Sequence, residues 1–178
     1  IGSQHDRQIQ FLDETVALGG LGNFSATDMR KVLAGKKASA KTSIGELQET
    51  VSASAAPRDL QTMMELVYLQ FTGIRKDQDA FESWQNRMAV TLENIVANPM
   101  FTYQDSLYAT MYNHNPRQSV PTVADVQNYD YEAGLELVRQ RLANAGDFTF
   151  VFVGNVDEEI LRPLVEQSIA TLPATQAR

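Results

Sequence analysis

The chain has 178 residues, 43% apolar and 21% charged, which is the balance of a folded globular chain and excludes the disordered and collagen-like classes. Lys and Arg number 15 against 22 Asp and Glu, a net charge of −7, so general nucleic-acid binders, which need a basic face, are excluded too. The absence of cysteine removes disulfide scaffolds, thiol nucleophiles and cysteine zinc sites, and no apolar run approaches the roughly 18 residues of a membrane span.

Along the chain, Ile9, Leu12 and Val16 recur at helical spacing between Asp6 and Leu18, with Phe11 and Leu18 widening the stripe. Gly19-Gly20-Leu21-Gly22-Asn23 stops this helix, because Gly and Asn tolerate the positive φ of helix ends. Ser25 and Asp28 have capping-box spacing on a short helix with an apolar side of Met29, Val32 and Leu33, closed by Gly35. Residues 38–54 change period. Ala38, Ala40, Thr42 and Ile44 alternate with polar neighbours, and after Gly45-Glu46 so do Leu47, Val51 and Ala53, which predicts a half-buried antiparallel hairpin.

Pro57 suits the first turn of an amphipathic helix carrying Leu60, Met63, Met64, Val67 and Phe71, ended by Gly73. Asp77 can cap a long helix bearing Phe81, Trp84, Met88, Leu92 and Ile95, which Asn98-Pro99 closes. Tyr103, Leu107 and Met111 mark another helix, and the aromatic and Met residues of these helices read as core. Residues 114–121 form a proline-bounded loop, Thr122 and Asp125 a capped turn, and Asp130 opens a helix through Leu135, Val138 and Leu142 that stops at Gly146. Phe148 to Val153 is apolar on both faces, as in a strand covered on both sides. Asp157 caps a last helix with Ile160, Leu161, Leu164, Val165 and Ile169. Pro163, which costs about 3 kcal/mol in a helix interior, predicts a start or kink there. This order of helices, hairpin, helices, strand and helix fits an α+β fold, with too few strands for its helices; sheet partners from upstream or from another copy are expected.

Few residues carry chemistry by themselves. His5 and His114 have no ligand-spaced neighbour and read as surface or backbone-bonding residues. The glycine turn lacks the preceding strand and the Lys of a phosphate loop. Asp13-Glu14 and Glu158-Glu159 are adjacent on helices, so their members diverge and read as solvated carboxylates. Arg30, Lys31, Lys36, Lys37 and Lys41 form a basic cluster, read as solvated surface.

Leu18-Gly19-Gly20-Leu21-Gly22-Asn23-Phe24-Ser25-Ala26, the hairpin, Val67-Tyr68-Leu69-Gln70-Phe71, Phe81-Glu82-Ser83-Trp84, Ala97-Asn98-Pro99, Phe148 to Asp157, Leu161-Arg162-Pro163-Leu164-Val165-Glu166 and Leu172-Pro173 follow one another along the chain. Together these segments resemble one domain of the insulinase/pitrilysin-type zinc peptidases, the inverzincins. The resemblance spans nearly the whole chain. It implies an α+β fold with an antiparallel or mixed sheet packed on several helices, lacking its N-terminal strands. The family's H-x-x-E-H motif holds zinc with two imidazoles and uses its Glu as general base. Counted back from the glycine turn, the matching positions are Phe11, Glu14 and Thr15: the Glu survives and both His positions do not. The family's third ligand, a downstream Glu, has Glu93 as nearest candidate.

What the resemblance implies is a metal-free repeat of a multi-domain bacterial peptidase. Residues 1–178 would be a single domain, a piece of a longer chain, with no catalytic or metal-ligating residue of its own and with zinc held by the parent. Its partners would be the catalytic domain of the same parent and peptide substrates, without nucleic acid or membrane insertion. An exposed sheet edge could also pair copies. Two alternatives stay open: a structural assembly subunit on the same fold, and a peptide- or anion-binding module without a peptidase role. The compartment is open between periplasm or cell envelope and cytoplasm.

Overall fold

In a computed structural model, residues 9–45, 48–115, 120–155 and 157–175 are described. The first helix is short: α1 spans Leu12–Thr15, with turns on either side. Thr15 ends it locally, because its hydroxyl bonds back to the Phe11 carbonyl at 2.8 Å and Leu18 N–H closes a tighter turn on the Thr15 carbonyl. Of the helix expected from Asp6 to Leu18, the described residues are helical at Ile9 and over Leu12–Thr15, with a turn at Gln10 and Phe11 between them; Asp6 to Gln8 lie outside the described residues. The glycine turn follows as predicted, with Gly20 and Gly22 at φ 79° and 56°.

Helix α2 (Ala26–Val32) is capped as the sequence indicates: Ser25 Oγ accepts from Asp28 N–H at 3.1 Å and donates to the Asp28 carboxylate at 2.6 Å. Its apolar side is not core, however; no residue of α2 is buried and Val32 is exposed. Strands β1 (Ala38–Ile44) and β2 (Glu49–Ala55) pair antiparallel, with Thr42 opposite Val51. A 3-10 turn at Pro57–Asp59 leads into α3 (Leu60–Thr72), which packs under both strands. The long α4 (Gln78–Val96) is capped by Asp77, and α5 (Pro99–Met111) by Asn98. Next come α6 (Val123–Gln127), with a complete Thr122–Asp125 capping box, α7 (Tyr131–Leu142), capped by Asp130, and α8 (Glu158–Ser168), capped by Asp157. The fold is α+β, a hairpin on a helical body.

The core lies where α1, α3, α4, α6 and α7 meet. Leu12, Met64, Val126, Leu135, Val138 and Leu142 are fully buried there. Asp13 and Gln70 join the hairpin to this body. Asp13 accepts from Ser43 Oγ at 2.5 Å and from Ile44 N–H at 2.7 Å, while Gln70 accepts from Thr42 Oγ1 at 2.8 Å and donates to the Ala40 carbonyl at 3.0 Å. Asp13 is thus not the ordinary solvated carboxylate that adjacency to Glu14 suggested. Asp13→Ala is expected to cost about 1.5 kcal/mol, since hydrogen bonds to a charged acceptor are lost and the Ile44 N–H loses its partner. Urea denaturation measures the loss, and faster amide exchange at Ile44 locates it.

Three other expectations are corrected. Phe148 to Val153 is not a strand: among the described residues no strand pairs with it, so its apolar character cannot be covered on both sides. Phe148 and Phe150 pack on Phe71 at 5.0 and 5.9 Å, but Val151 is 75% exposed and Val153 91%. The stripe of α5 is also outside the core; Tyr103, Leu107 and Met111 are exposed, and among the described residues the main packing of α5 is on α4. Finally, α8 starts at Glu158 and runs through Pro163. Glu159, whose carbonyl the proline deprives of a helical donor, is on the exposed first turn where water can serve instead.

Candidate functional site

The positions that the resemblance sets against the metal motif, Phe11, Glu14 and Thr15, adjoin an aromatic cluster. Phe11 and Thr15, one turn apart, both face inward and are 3% and 0% exposed. Their surroundings come from three elements: Trp84 and Phe81 on α4, Tyr129 in the link between α6 and α7, and Tyr131 at the start of α7. The Phe11 ring meets Trp84 edge-on at 5.6 Å and Tyr129 edge-on at 5.5 Å. Phe81 stacks on Tyr131 at 4.5 Å and on Trp84 at 5.7 Å. Edge-to-face contacts set positive ring edges against negative ring faces and add about 0.5–1.5 kcal/mol each beyond area burial.

Among the described residues the Tyr131 hydroxyl is buried without a hydrogen-bond partner, while the polar atoms of Trp84, Thr15 and Tyr129 are paired. Trp84 Nε1–H donates to Glu14 Oε2 at 2.9 Å, so the surviving motif Glu serves as acceptor for the indole. Thr15 Oγ1 lies 2.8 Å from the Phe11 carbonyl, to which it donates, and 3.0 Å from the Tyr129 hydroxyl, which must then donate to it. Burial, the largest cause, pushes the Tyr129 phenol above its ordinary value, so it stays protonated and keeps this bond at neutral pH. Gly134 makes room: a Cβ there would stand 2.2 Å from the Tyr129 hydroxyl.

These residues do not fit a zinc ion. Zinc takes imidazole, thiolate or carboxylate donors. Here a phenyl ring fills one ligand position, a doubly engaged hydroxyl the other, and the carboxylate between them holds an indole. Glu93 is on the exposed side of α4, nine residues beyond Trp84 and so about 13 Å farther along the helix axis. Among the described residues no group of three His, Asp or Glu is placed to hold a metal ion.

The remaining candidates resolve into structure. The glycine turn clasps the α3–α4 link rather than an anion: Gly22 N–H donates to the Gly73 carbonyl at 2.7 Å, Arg75 Nη1 donates to the Gly19 carbonyl at 3.0 Å, and a Cβ on Gly19 would collide with the Arg75 carbonyl. Arg30, Lys31, Lys36, Lys37 and Lys41 are exposed, with Lys36 Nζ on Thr62 Oγ1 and Lys31 near Asp28. His114 is exposed, and its N–H donates to the Ala109 carbonyl at 2.7 Å. His5 lies outside the described residues. Sequence reading did not assign Trp84, Tyr129 and Gly134 to one cluster. A glycine within the helical run of α7 was the available signal, since such a residue usually has a packing reason.

No family model matches the chain. Among curated proteins, the probable zinc protease PqqL of Escherichia coli (strain K12) is 21% identical over 170 residues, which cover 96% of this chain and 18% of that protein. The crystal structure of the periplasmic protease PqqL from Escherichia coli superposes with a TM-score of 0.80 at 20% identity, covering 99% of this chain and 19% of that one. A mutant of the ferredoxin protease FusC, in complex with Arabidopsis ferredoxin, gives 0.74 at 18% identity, covering 96% and 19%. A protease from Helicobacter pylori gives 0.64 at 15% identity, covering 100% and 45%. The chain shares the fold of the parts of the PqqL and FusC proteases on which it superposes. It spans less than a fifth of the length of the curated relative, so it matches one part of that protein. Zinc in a longer parent accords with the relative's description as a zinc protease.

Proposed function

We propose that this chain is a non-catalytic domain of a zinc-dependent metalloendopeptidase, which packs against the catalytic half and contributes to the wall of the substrate chamber. The observation that carries the reading is the Phe11–Trp84–Tyr129 cluster. On the register counted from the glycine turn it stands at the two positions that would carry imidazoles, and its hydrogen bonds engage one carboxylate oxygen of Glu14 and the hydroxyl of Thr15. The exposed face of α5, with Met100, Tyr103, Leu107, Tyr108, Met111 and Tyr112, supports a packing role, because large exposed apolar patches mark interaction surfaces. The glycine turn lends the anion-binding alternative no support, since the N–H of Gly22 is taken by the Gly73 carbonyl.

The discriminating variant is Glu14→Gln in the full-length parent. Gln keeps a carbonyl acceptor for the Trp84 indole but cannot act as a general base. Peptide hydrolysis and bound zinc, read by a fluorogenic peptide and by elemental analysis, are expected to be unchanged. A fall in turnover of roughly 100-fold, the ordinary scale for losing a general base, would overturn the reading.

A further inference from the structure

The chain is acidic overall, yet residues 29–45 hold five Lys or Arg and no Asp or Glu. Two of these cations, Lys37 and Lys41, belong to the hairpin. Helix α3 packs beneath both strands, where Thr42 is buried and Ala40, Ile44 and Val51 are half-buried. With a side-chain period of two, the opposite face is Ser39, Lys41 and Ser43 on β1 against Ser54, Ser52 and Thr50 on β2. The Lys37 carbonyl accepts the Ala56 N–H at 2.8 Å, which carries the ladder one pair further and sets Lys37 on the same face. That face bears only ammonium and hydroxyl groups.

The nearby carboxylates are engaged elsewhere. Asp28 accepts from Ser25 Oγ and lies 3.9 Å from Lys31. Asp59 accepts the Lys37 backbone N–H at 2.8 Å and pairs with Arg58 at 3.4 Å. Among the described residues no carboxylate is paired with the ammonium of Lys37 or Lys41. Between Lys36, Lys37, Ser39 and Ser54 the surface dips into a recess of about 360 Å³. There Ser39 Oγ and Ser54 Oγ stand 3.1 Å apart, so one hydroxyl donates to the other and the second keeps its proton for a ligand.

We infer that this face of the hairpin is a docking surface for an acidic segment of another protein, laid along β1 with carboxylates on Lys37 and Lys41 and one between them on the Ser39–Ser54 pair. The spacing agrees: same-side residues of a strand and of an extended ligand both repeat at roughly 6.8 Å, so carboxylates at every second residue meet Lys37, Ser39 and Lys41 in turn. Charge complementarity selects the partner. With a net charge of −7 the chain as a whole repels an acidic segment, so the local field steers it to this carboxylate-free face. A lipid surface fits less well, because the face has no apolar side chain to enter it. Single-stranded nucleic acid fits less well too, because the face has no aromatic ring on which bases stack. The inference does not rest on the peptidase reading, and hydrolysis is not among its readouts.

The probe is a fluorescein-labelled peptide of about eight glutamates, with a glutamine peptide of equal length as neutral reference, read by fluorescence anisotropy on the full-length protein. Saturable binding of the acidic peptide alone is expected at about 20 mM salt, weakened roughly tenfold or more at about 300 mM, where screening acts within ~6 Å. Lys37→Gln with Lys41→Gln is expected to weaken binding roughly tenfold, and Lys37→Arg with Lys41→Arg to retain it. Arg87→Gln with Arg162→Gln, which removes the same charge from exposed sites elsewhere, is expected to change it less than about twofold. Ser52→Glu sets a carboxylate opposite Lys41 and is expected to weaken binding with every cation in place, which keeps the test decisive should the lysine pair be needed for folding. Absent binding, equal binding of the glutamine peptide, or equal losses in the lysine and arginine double variants would each overturn the inference. Retention by phosphatidylserine vesicles or by oligothymidylate in place of the acidic peptide, or self-association that requires Lys37 and Lys41, would overturn it as well.

Discussion

Converting Phe11 and Thr15 together to histidine is expected to lower the unfolding free energy by about 4 kcal/mol and to create neither tight zinc binding nor peptide hydrolysis. The substitution writes H-x-x-E-H back into the chain, so it asks whether the motif alone suffices. The Phe11 ring makes two edge-to-face contacts, with Trp84 and Tyr129, and is almost wholly buried. An imidazole there is smaller, and its ring nitrogens have no partner in a pocket lined by aromatic carbon. Thr15 is fully enclosed, so the larger histidine must displace Tyr129, whose hydroxyl lies 3.0 Å from Thr15 Oγ1. Overpacking of that kind typically costs about 1–3 kcal/mol. A buried histidine also resists charging, so its folded pKa falls below the unfolded value of about 6.5. The deficit should then be constant above that value and deepen as pH falls through it, because only the unfolded chain takes up the proton. Urea denaturation at several pH values, with and without zinc, checks this. A large thermal stabilisation by stoichiometric zinc would show that the cluster can be reopened as a metal site, and would remove the packing argument.

Elements whose ends are set by local chemistry were legible in the sequence. Ser25, Asp77, Thr122, Asp130 and Asp157 all cap the elements they were expected to cap, because a side-chain oxygen two or three residues from a free N–H needs nothing from the rest of the fold, whereas Asn98, read only as the stop of α4, also caps α5. The hairpin was legible for a similar reason: its period of two is printed along residues 38–54. What failed depended on neighbours. Phe148–Val153 has the composition of a central strand, yet a strand exists only by pairing, and composition cannot supply the partner. The stripe of α5 has helical spacing like that of α3, but spacing shows that one face of a helix is apolar, not what covers it.

The site followed the same division. That Phe11 and Thr15 carry no imidazole is plain from the sequence, and so is the survival of Glu14. Their present roles are not, because each partner comes from far along the chain: Trp84 lies 70 residues from Glu14, and Tyr129 lies 114 residues from Thr15. Adjacent Asp13 and Glu14 looked alike in sequence but diverge around the helix. One reaches the hairpin and the other the long helix, so two equivalent-looking carboxylates fasten different parts of the molecule.

Gly134→Ala is expected to destabilise the chain by about 2 kcal/mol, although alanine is the better helix former by about 1 kcal/mol. The sign is decided by space. A Cβ on Gly134 would lie 2.2 Å from the Tyr129 hydroxyl, 3.0 Å from its Cζ and 3.2 Å from Leu12 Cδ2. Tyr129 cannot swing clear, because its ring is wedged against Phe11, Phe81 and Trp84 and its hydroxyl is bonded to Thr15. The clash is chiefly with one atom, which makes it separable. Tyr129→Phe removes that atom and should cost only about 1 kcal/mol by itself, since Thr15 Oγ1 keeps its bond to the Phe11 carbonyl. In the double variant the alanine Cβ occupies the space the hydroxyl left, so the two losses should fall short of adding by roughly 1–2 kcal/mol. Thermal or urea unfolding of the four proteins in this cycle measures that coupling. Strict additivity would mean that Gly134 is required for helix packing on Leu12 alone, and that the Thr15–Tyr129 bond does not hold the cluster in place.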